Sequence, residues 1–157
     1  MKIARNSFDY LAIALISIAI AAGAYFYTQL PDQMASHWNA DGLPDGEVDK
    51  WLFVPLALVF IALAYACFSL LPQLKQFKPE YELIHKEYSQ FKTAMVAFLV
   101  YVFLAILIVN AGYFDPLSVH QLVIPGVALL FYYIGVAAPR LKRNWLVGIR
   151  TPWTLKS

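Results

Sequence analysis

The residues best suited to chemistry are crowded into one short segment, SHWNADGLPDGEVDK, residues 36 to 50. His37 stands there with four carboxylates, Asp41, Asp45, Glu47 and Asp49. An imidazole and Asp41 could act as a general base and its orienting partner. The available hydroxyls, Ser36 and Ser118, have no motif around them that would make a nucleophile. His37, Asp41 and Asp45 are the nearest approach to a metal set, but the carboxylate spacing does not match an EF-hand loop. Zinc would need a second good nitrogen or sulfur ligand, and His120 is the only other histidine expected on that side. No catalysis, resident metal or cofactor is therefore expected. The segment reads as a compact anionic cap or recognition surface. Asp41-Gly42 and Asp45-Gly46 are turn signals, with Pro44 presetting its φ before the second. Trp38 and Trp51 suit a membrane–water interface, where one side of an indole meets lipid and the other water.

A second unusual stretch closes the chain, RLKRNWLVGIRTPWTLKS. Arg140, Lys142 and Arg143 are ordinary anchors to an anionic leaflet. The part that follows has more shape. Gly148 permits a backbone turn, Pro152 biases Thr151 toward extended geometry, and Arg150 is near enough to Trp153 to stack on it. Either a helix-end cap or a functional surface accounts for this.

The elements that must position both stretches are apolar. The chain has 157 residues, 61% hydrophobic and 14% charged, where a soluble domain has about a quarter of its residues charged. A bilayer core about 30 Å thick needs roughly 20 apolar helical residues. Segments 10–30, 52–71, 93–113 and 122–139 meet or approach that length without a charged residue. Pro55 and Pro125 are expected near the starts of their helices, Pro72 and Pro139 at the ends. The expected fold is an all-α integral membrane bundle of four transmembrane helices, a single membrane domain over 1–157. Between the spans lie an outer loop at 31–51, an inner loop at 72–92 and a cytoplasmic tail at 140–157.

Charge sets the expected topology. Of the twelve Lys and Arg residues, eleven fall on the side of the termini and the 72–92 loop, and only Lys50 falls on the other. The positive-inside rule then predicts a multi-pass cell-membrane protein with both termini cytoplasmic. The first span is expected to be retained rather than cleaved as a signal peptide, because its apolar run continues through Tyr25, Phe26 and Tyr27. A net charge of +2, with no basic run carrying interleaved aromatics, argues against nucleic acid as a partner. Cys67 has no second cysteine to bridge and reads as a small hydrophobe inside an apolar block.

Within the inner loop, Phe77, Tyr81, Ile84, Tyr88 and Phe91 recur at steps of four and three. That spacing predicts an amphipathic helix between spans two and three. It is expected to lie in the headgroup region as a strut or to offer a docking face to a cytosolic partner. His85 beside the stripe is expected to be a solvated surface residue.

Two longer motifs carry a resemblance. LPDQMASHWNADGLPDGEVDK at 30–50 looks like a signature loop of the form LP-x-x-hydrophobic-x-x-HWN-x-x-G-x-x-DG ending in Lys, and NWLVGIRTPWTL at 144–155 is similar to a GIRTPWTL signature. Both occur in SdpI-type immunity proteins, bacterial membrane proteins that protect a toxin-producing cell from its own secreted peptide. The resemblance covers nearly the whole chain. It marks His37, Trp38, Asn39, Gly42, Asp45, Gly46 and Lys50 as signature positions of the outer loop. In the tail it marks Gly148, Arg150, Thr151, Pro152, Trp153 and Thr154. It implies an extracellular peptide toxin as one partner and, by analogy with signalling members, a cytosolic repressor protein as another. Members of the family usually continue with an acidic segment and two further spans, whereas this sequence stops at Ser157. It is therefore expected to be a short form or a fragment, with a homo-oligomer as one way to replace missing helices.

A permease is the alternative class to immunity and toxin resistance with signal transduction. A permease subunit would need polar groups at mid-membrane. Those available are Ser17, Tyr65, Ser69, Tyr101, Tyr132 and Tyr133, with Asn110 near an outer end. They are better suited to packing than to a translocation path.

Overall fold

A computed structural model describes residues 6–115 and 119–140, and for Glu80 the backbone alone. Four helices in it are long and apolar enough to cross a membrane. Helix α1 spans Ser7–Phe26, α2 Lys50–Leu70, α3 Lys78–Asn110 and α4 Val119–Ala137. Between α1 and α2 lies an antiparallel pair, β1 (Gln33–Trp38) and β2 (Pro44–Asp49). Short 3-10 turns, Leu71–Gln73 and Ala138–Arg140, follow α2 and α4. The expected all-α membrane bundle is the observed architecture, with the small hairpin added to one end.

Local signals set the helix boundaries. Asn6 caps α1: its side chain accepts from the Asp9 amide at 3.0 Å while the Asp9 carboxylate accepts from the Asn6 amide at 3.0 Å. This reciprocal box satisfies two amides that a helix start otherwise leaves unpaired. Helix α3 ends where Gly112 adopts φ +80°, with its amide on the Val109 carbonyl and the Tyr113 amide on that of Ile108. That is a Schellman closure, which needs a left-handed residue just past the helix.

The core is organised around α3. Val96, Val100, Phe103 and Leu107 are buried at helical spacing on one face. Ala12 and Ala19 of α1, both fully buried, and Val54 and Ile61 of α2 meet them. Small residues let α1 come close. A Cβ placed on Gly23 would already touch Phe103 and Val54 at 3.4 Å. Lipid offers no apolar driving force between helices, so close backbone approach and dispersion must hold them together. The outward faces are correspondingly apolar, with Leu11, Ile18, Leu56, Phe60, Leu129 and Phe131 all exposed.

Several expectations are corrected. The stretch expected as a separate interfacial helix forms the first turns of α3, set off from the rest by non-helical angles at Ile84. Its aromatic stripe packs on the end of α2. Ile84 and Tyr88 are buried, the Tyr88 hydroxyl donates to the Phe68 carbonyl at 2.8 Å, and Phe91 meets Phe68 edge-on. Pro55 and Pro125 lie inside their helices rather than at the starts, because α2 and α4 begin before the purely apolar windows do. Cys67 is exposed on the flank of α2, not interior. Lys92, expected in the inner loop, is a buried residue of α3. His85 is exposed, as expected.

Candidate functional site: a hairpin clamped to the bundle end

The hairpin departs from its expected form. The expected outer loop contains paired strands in the register Gln33 with Asp49, Ala35 with Glu47 and Trp38 with Pro44. There is one turn, not two, and Asn39 builds it. Its side-chain oxygen accepts from the amides of Asp41 at 2.9 Å and Leu43 at 3.0 Å. Its backbone amide bonds the Leu43 carbonyl and its carbonyl accepts from Gly42. Gly42 has φ +82°, a conformation that a residue with a Cβ adopts only at a cost. Asp45-Gly46, expected as a second turn, is part of β2. Gly46 faces His37 at an irregularity in the ladder, and a Cβ there would sit 2.9 Å from the His37 Cβ. Glycine is needed at that position for close approach rather than for turning.

Two polar clamps hold the hairpin to the helices. Asn110, at the end of α3, accepts from the Ala35 amide at 2.7 Å and donates to the Ala35 carbonyl at 3.0 Å. It thereby occupies both outward hydrogen-bonding groups of one β1 residue. Lys50, at the start of α2, donates to the Leu30 carbonyl at 3.0 Å and lies 3.0 Å from the Asp32 carboxylate. Its ammonium also sits 5.6 Å from the centre of the Tyr27 ring. This ties the end of α1 to the start of α2. Met34, fully buried, fills the space beneath β1.

Of the expected outer-loop positions, Asn39, Gly42, Gly46 and Lys50 thus have architectural work. His37 and Asp45 are different. They pair with each other while their side chains remain 71% and 43% exposed. Trp38 is half-buried in β1, and Trp51 is exposed at the start of α2. The acid–base couple considered for His37 used Asp41, but the carboxylate that meets the imidazole is Asp45. Among the described residues no group of three His, Cys, Asp or Glu side chains is arranged to hold a metal ion. The tail positions Gly148, Arg150, Thr151, Pro152, Trp153 and Thr154 lie outside the described residues.

A second polar cluster, at the far end of the bundle, was not among the expected sites. Lys92 of α3 pairs with Asp9 of α1, their side chains only 7% and 9% exposed. The Lys92 ammonium lies 5.2 Å from the Tyr65 ring centre. The Asn6 amide group donates to the Ser89 hydroxyl at 2.8 Å, and the Thr93 hydroxyl donates to the Phe8 carbonyl at 3.0 Å. With Tyr88 on the Phe68 carbonyl, these contacts join α1, α2 and α3 at one level. The signal that could have found the cluster is Asn6-x-x-Asp9 ahead of an apolar run, a helix-start pattern that fixes the direction of Asp9.

Residues 14–63 match the family described as "Domain of unknown function (DUF1648)". The matched segment runs from within α1 through the hairpin into α2, so the hairpin lies inside it. The chain is also 23% identical over 148 residues to "Immunity protein SdpI" of Bacillus subtilis (strain 168). That alignment covers 94% of this chain and 68% of the relative. No solved structure matches. Together the family match and the relative support an SdpI-type family for this chain.

Proposed function

We propose that this SdpI-type chain is a membrane immunity protein whose hairpin meets a secreted peptide toxin outside the cell. The observation that carries the proposal is the contrast within the hairpin: its frame is clamped by Asn110 and Lys50, while His37 and Asp45 are left open to solvent. A rigid frame presenting exposed polar side chains is how loops generally carry binding. The matched relative is named an immunity protein, which favours this reading over a catalytic one. The excess of Lys and Arg at the far end supports cytoplasmic termini and an external hairpin.

Signalling to a cytosolic repressor is part of the same proposal. Helix α3 carries Asn110 at the hairpin and Lys92 in the far-end cluster, so one rigid element touches both. A toxin could shift the helices only if it bound one arrangement more tightly than the other. The tail motif around Arg150 and Trp153 would supply the repressor's docking face.

The test is survival of toxin-sensitive cells that express the wild type, His37→Ala or Trp153→Ala at matched membrane levels. Loss of protection by His37→Ala supports the outer site. Full protection by both variants overturns the assignment of either motif to immunity. Cysteine-accessibility labelling at positions 37 and 153 checks the topology, and labelling of both from one compartment would refute it.

A further inference from the structure

The hairpin has two edges, and the described residues close only one of them. In an antiparallel pair a residue's amide and carbonyl point together, alternately toward the partner strand and away from it. Two contacts fix that alternation here. The Lys50 amide donates to the Asp32 carbonyl at 3.0 Å, so this pair faces inward. Asn110 bonds both backbone groups of Ala35, at 2.7 and 3.0 Å, so Ala35 faces outward. Ala35 stands opposite Glu47. The Glu47 amide and carbonyl therefore point away from β1, on the other side of the hairpin. Beyond the ladder, no hydrogen bond among the described residues reaches either group. Helix α3 thus gives β1 a strand-like partner, while the outer edge of β2 has none.

The side chains on this edge alternate as well. Asp45, Glu47 and Asp49 lie on one face of β2, with Gly46 and Val48 on the other, where Val48 packs against the core. Asp45 pairs with His37, and Asp49 accepts from the Gln33 amide group. Glu47, opposite the small Ala35, is exposed, and no ion pair among the described residues takes up its carboxylate. Lys50, the only Lys or Arg between residues 31 and 50, is already held by Asp32 and the Leu30 carbonyl. An unpaired edge is a template for another strand unless charge forbids it. A second copy would set Asp45, Glu47 and Asp49 against their own kind, whereas a cationic strand is drawn to them.

We propose that the free edge of β2 takes up an extended cationic peptide as a third, antiparallel strand. The peptide residue opposite Glu47 exchanges both backbone hydrogen bonds with it, as Asn110 does with Ala35. That residue is Lys or Arg, because a hydrogen-bonded pair sets its two side chains on one face with Cα atoms about 5.5 Å apart. Residues two positions to either side face Asp45 and Asp49 and carry the same charge. The residues between them lie on the Val48 face, toward the bundle, and are apolar. Main-chain bonds supply the grip and the alternate side chains the selectivity. This deepens the proposed function, resting on the hairpin as the external recognition face, and names the form in which a peptide is held there.

The probe is a fluorescent synthetic peptide of about nine residues alternating Lys and Val, long enough for one strand. The full chain is held in phosphatidylcholine nanodiscs, whose lipid has no net charge to attract the probe, and binding is read by anisotropy. Methylating the backbone amides of the Lys residues, which point at β2, should abolish binding. Methylating those of the Val residues, which point away, should leave it, with charge and composition unchanged. Glu47→Gln should weaken binding of the parent peptide by about two- to fivefold, the worth of one exposed ion pair. Equal binding of the two methylated peptides, or no binding of the parent, overturns the proposal. So does a hairpin-linked dimer that excludes the peptide, which would make a second copy the occupant. No toxin enters this assay. Methyl-selective binding therefore supports the edge site even where His37→Ala cells stay protected, and its absence overturns the edge site even where they lose protection.

Discussion

His37 and Asp45 pair in water at one end of the bundle, with 71% and 43% of their side chains exposed, whereas Lys92 and Asp9 pair at the other with 7% and 9% exposed. The chemistry of the two contacts is alike and their surroundings are opposite. Water screens the first pair and is ready to replace either partner, so the contact holds little free energy and can be exchanged for a ligand. The second pair has given up its hydration, and each charge now depends on the other. Breaking such a pair by removing one partner leaves an uncompensated buried charge. The bundle therefore keeps its expendable polar contact where a partner could reach it and its indispensable one where three helices meet.

That contrast can be broken most forcefully at Lys92. Replacing it by methionine leaves the Asp9 carboxylate buried alone and should cost about 3–5 kcal/mol, read as a lower unfolding temperature in detergent. Adding Asp9→Asn, which keeps the cap on Asn6, should recover most of the loss. A single variant as stable as wild type would mean that water reaches the site.

Asn110→Ala is the next largest. It strips both partners from Ala35 and should cost about 1–3 kcal/mol, the price of orphaned backbone groups. The loss should be local, with faster proteolysis between residues 39 and 43 and unchanged helix content. Gly42→Ala forces a Cβ into a left-handed turn at about 1–2 kcal/mol and should loosen the same turn.

Smallest in stability is His37→Ala. An exposed pair is worth about 0–1 kcal/mol, and what little there is should fade in high salt. Unfolding temperature should hardly move, while protection against toxin should fall. A large loss of stability would put His37 with the clamps instead of with the recognition surface.

The helices were readable because hydropathy accumulates locally: about twenty apolar residues in a row cross a bilayer whatever they later touch. The hairpin was not. QMASHW and PDGEVD show no alternation of apolar and polar residues, so no strand period was there to read. The strands form because Met34 inserts beneath them and Asn110 takes up Ala35, contacts across sequence separations that a local pattern does not register. Asp45-Gly46 resembled a turn since that dipeptide usually makes one. Only the neighbouring His37 Cβ shows why glycine is needed within a strand.

The pairing of Asp9 with Lys92 is illegible in the sequence for a related reason. A hydropathy window treats a charge as the edge of a span, so each residue fell just outside the segments drawn. Their burial depends on meeting each other 83 positions apart. Composition and the order of apolar runs were enough for a four-helix membrane protein, and for the resemblance of its polar loop to an immunity family. Which charges face water and which face each other could not follow from them. Burial is a property of what packs alongside a residue, and those neighbours come from distant parts of the chain.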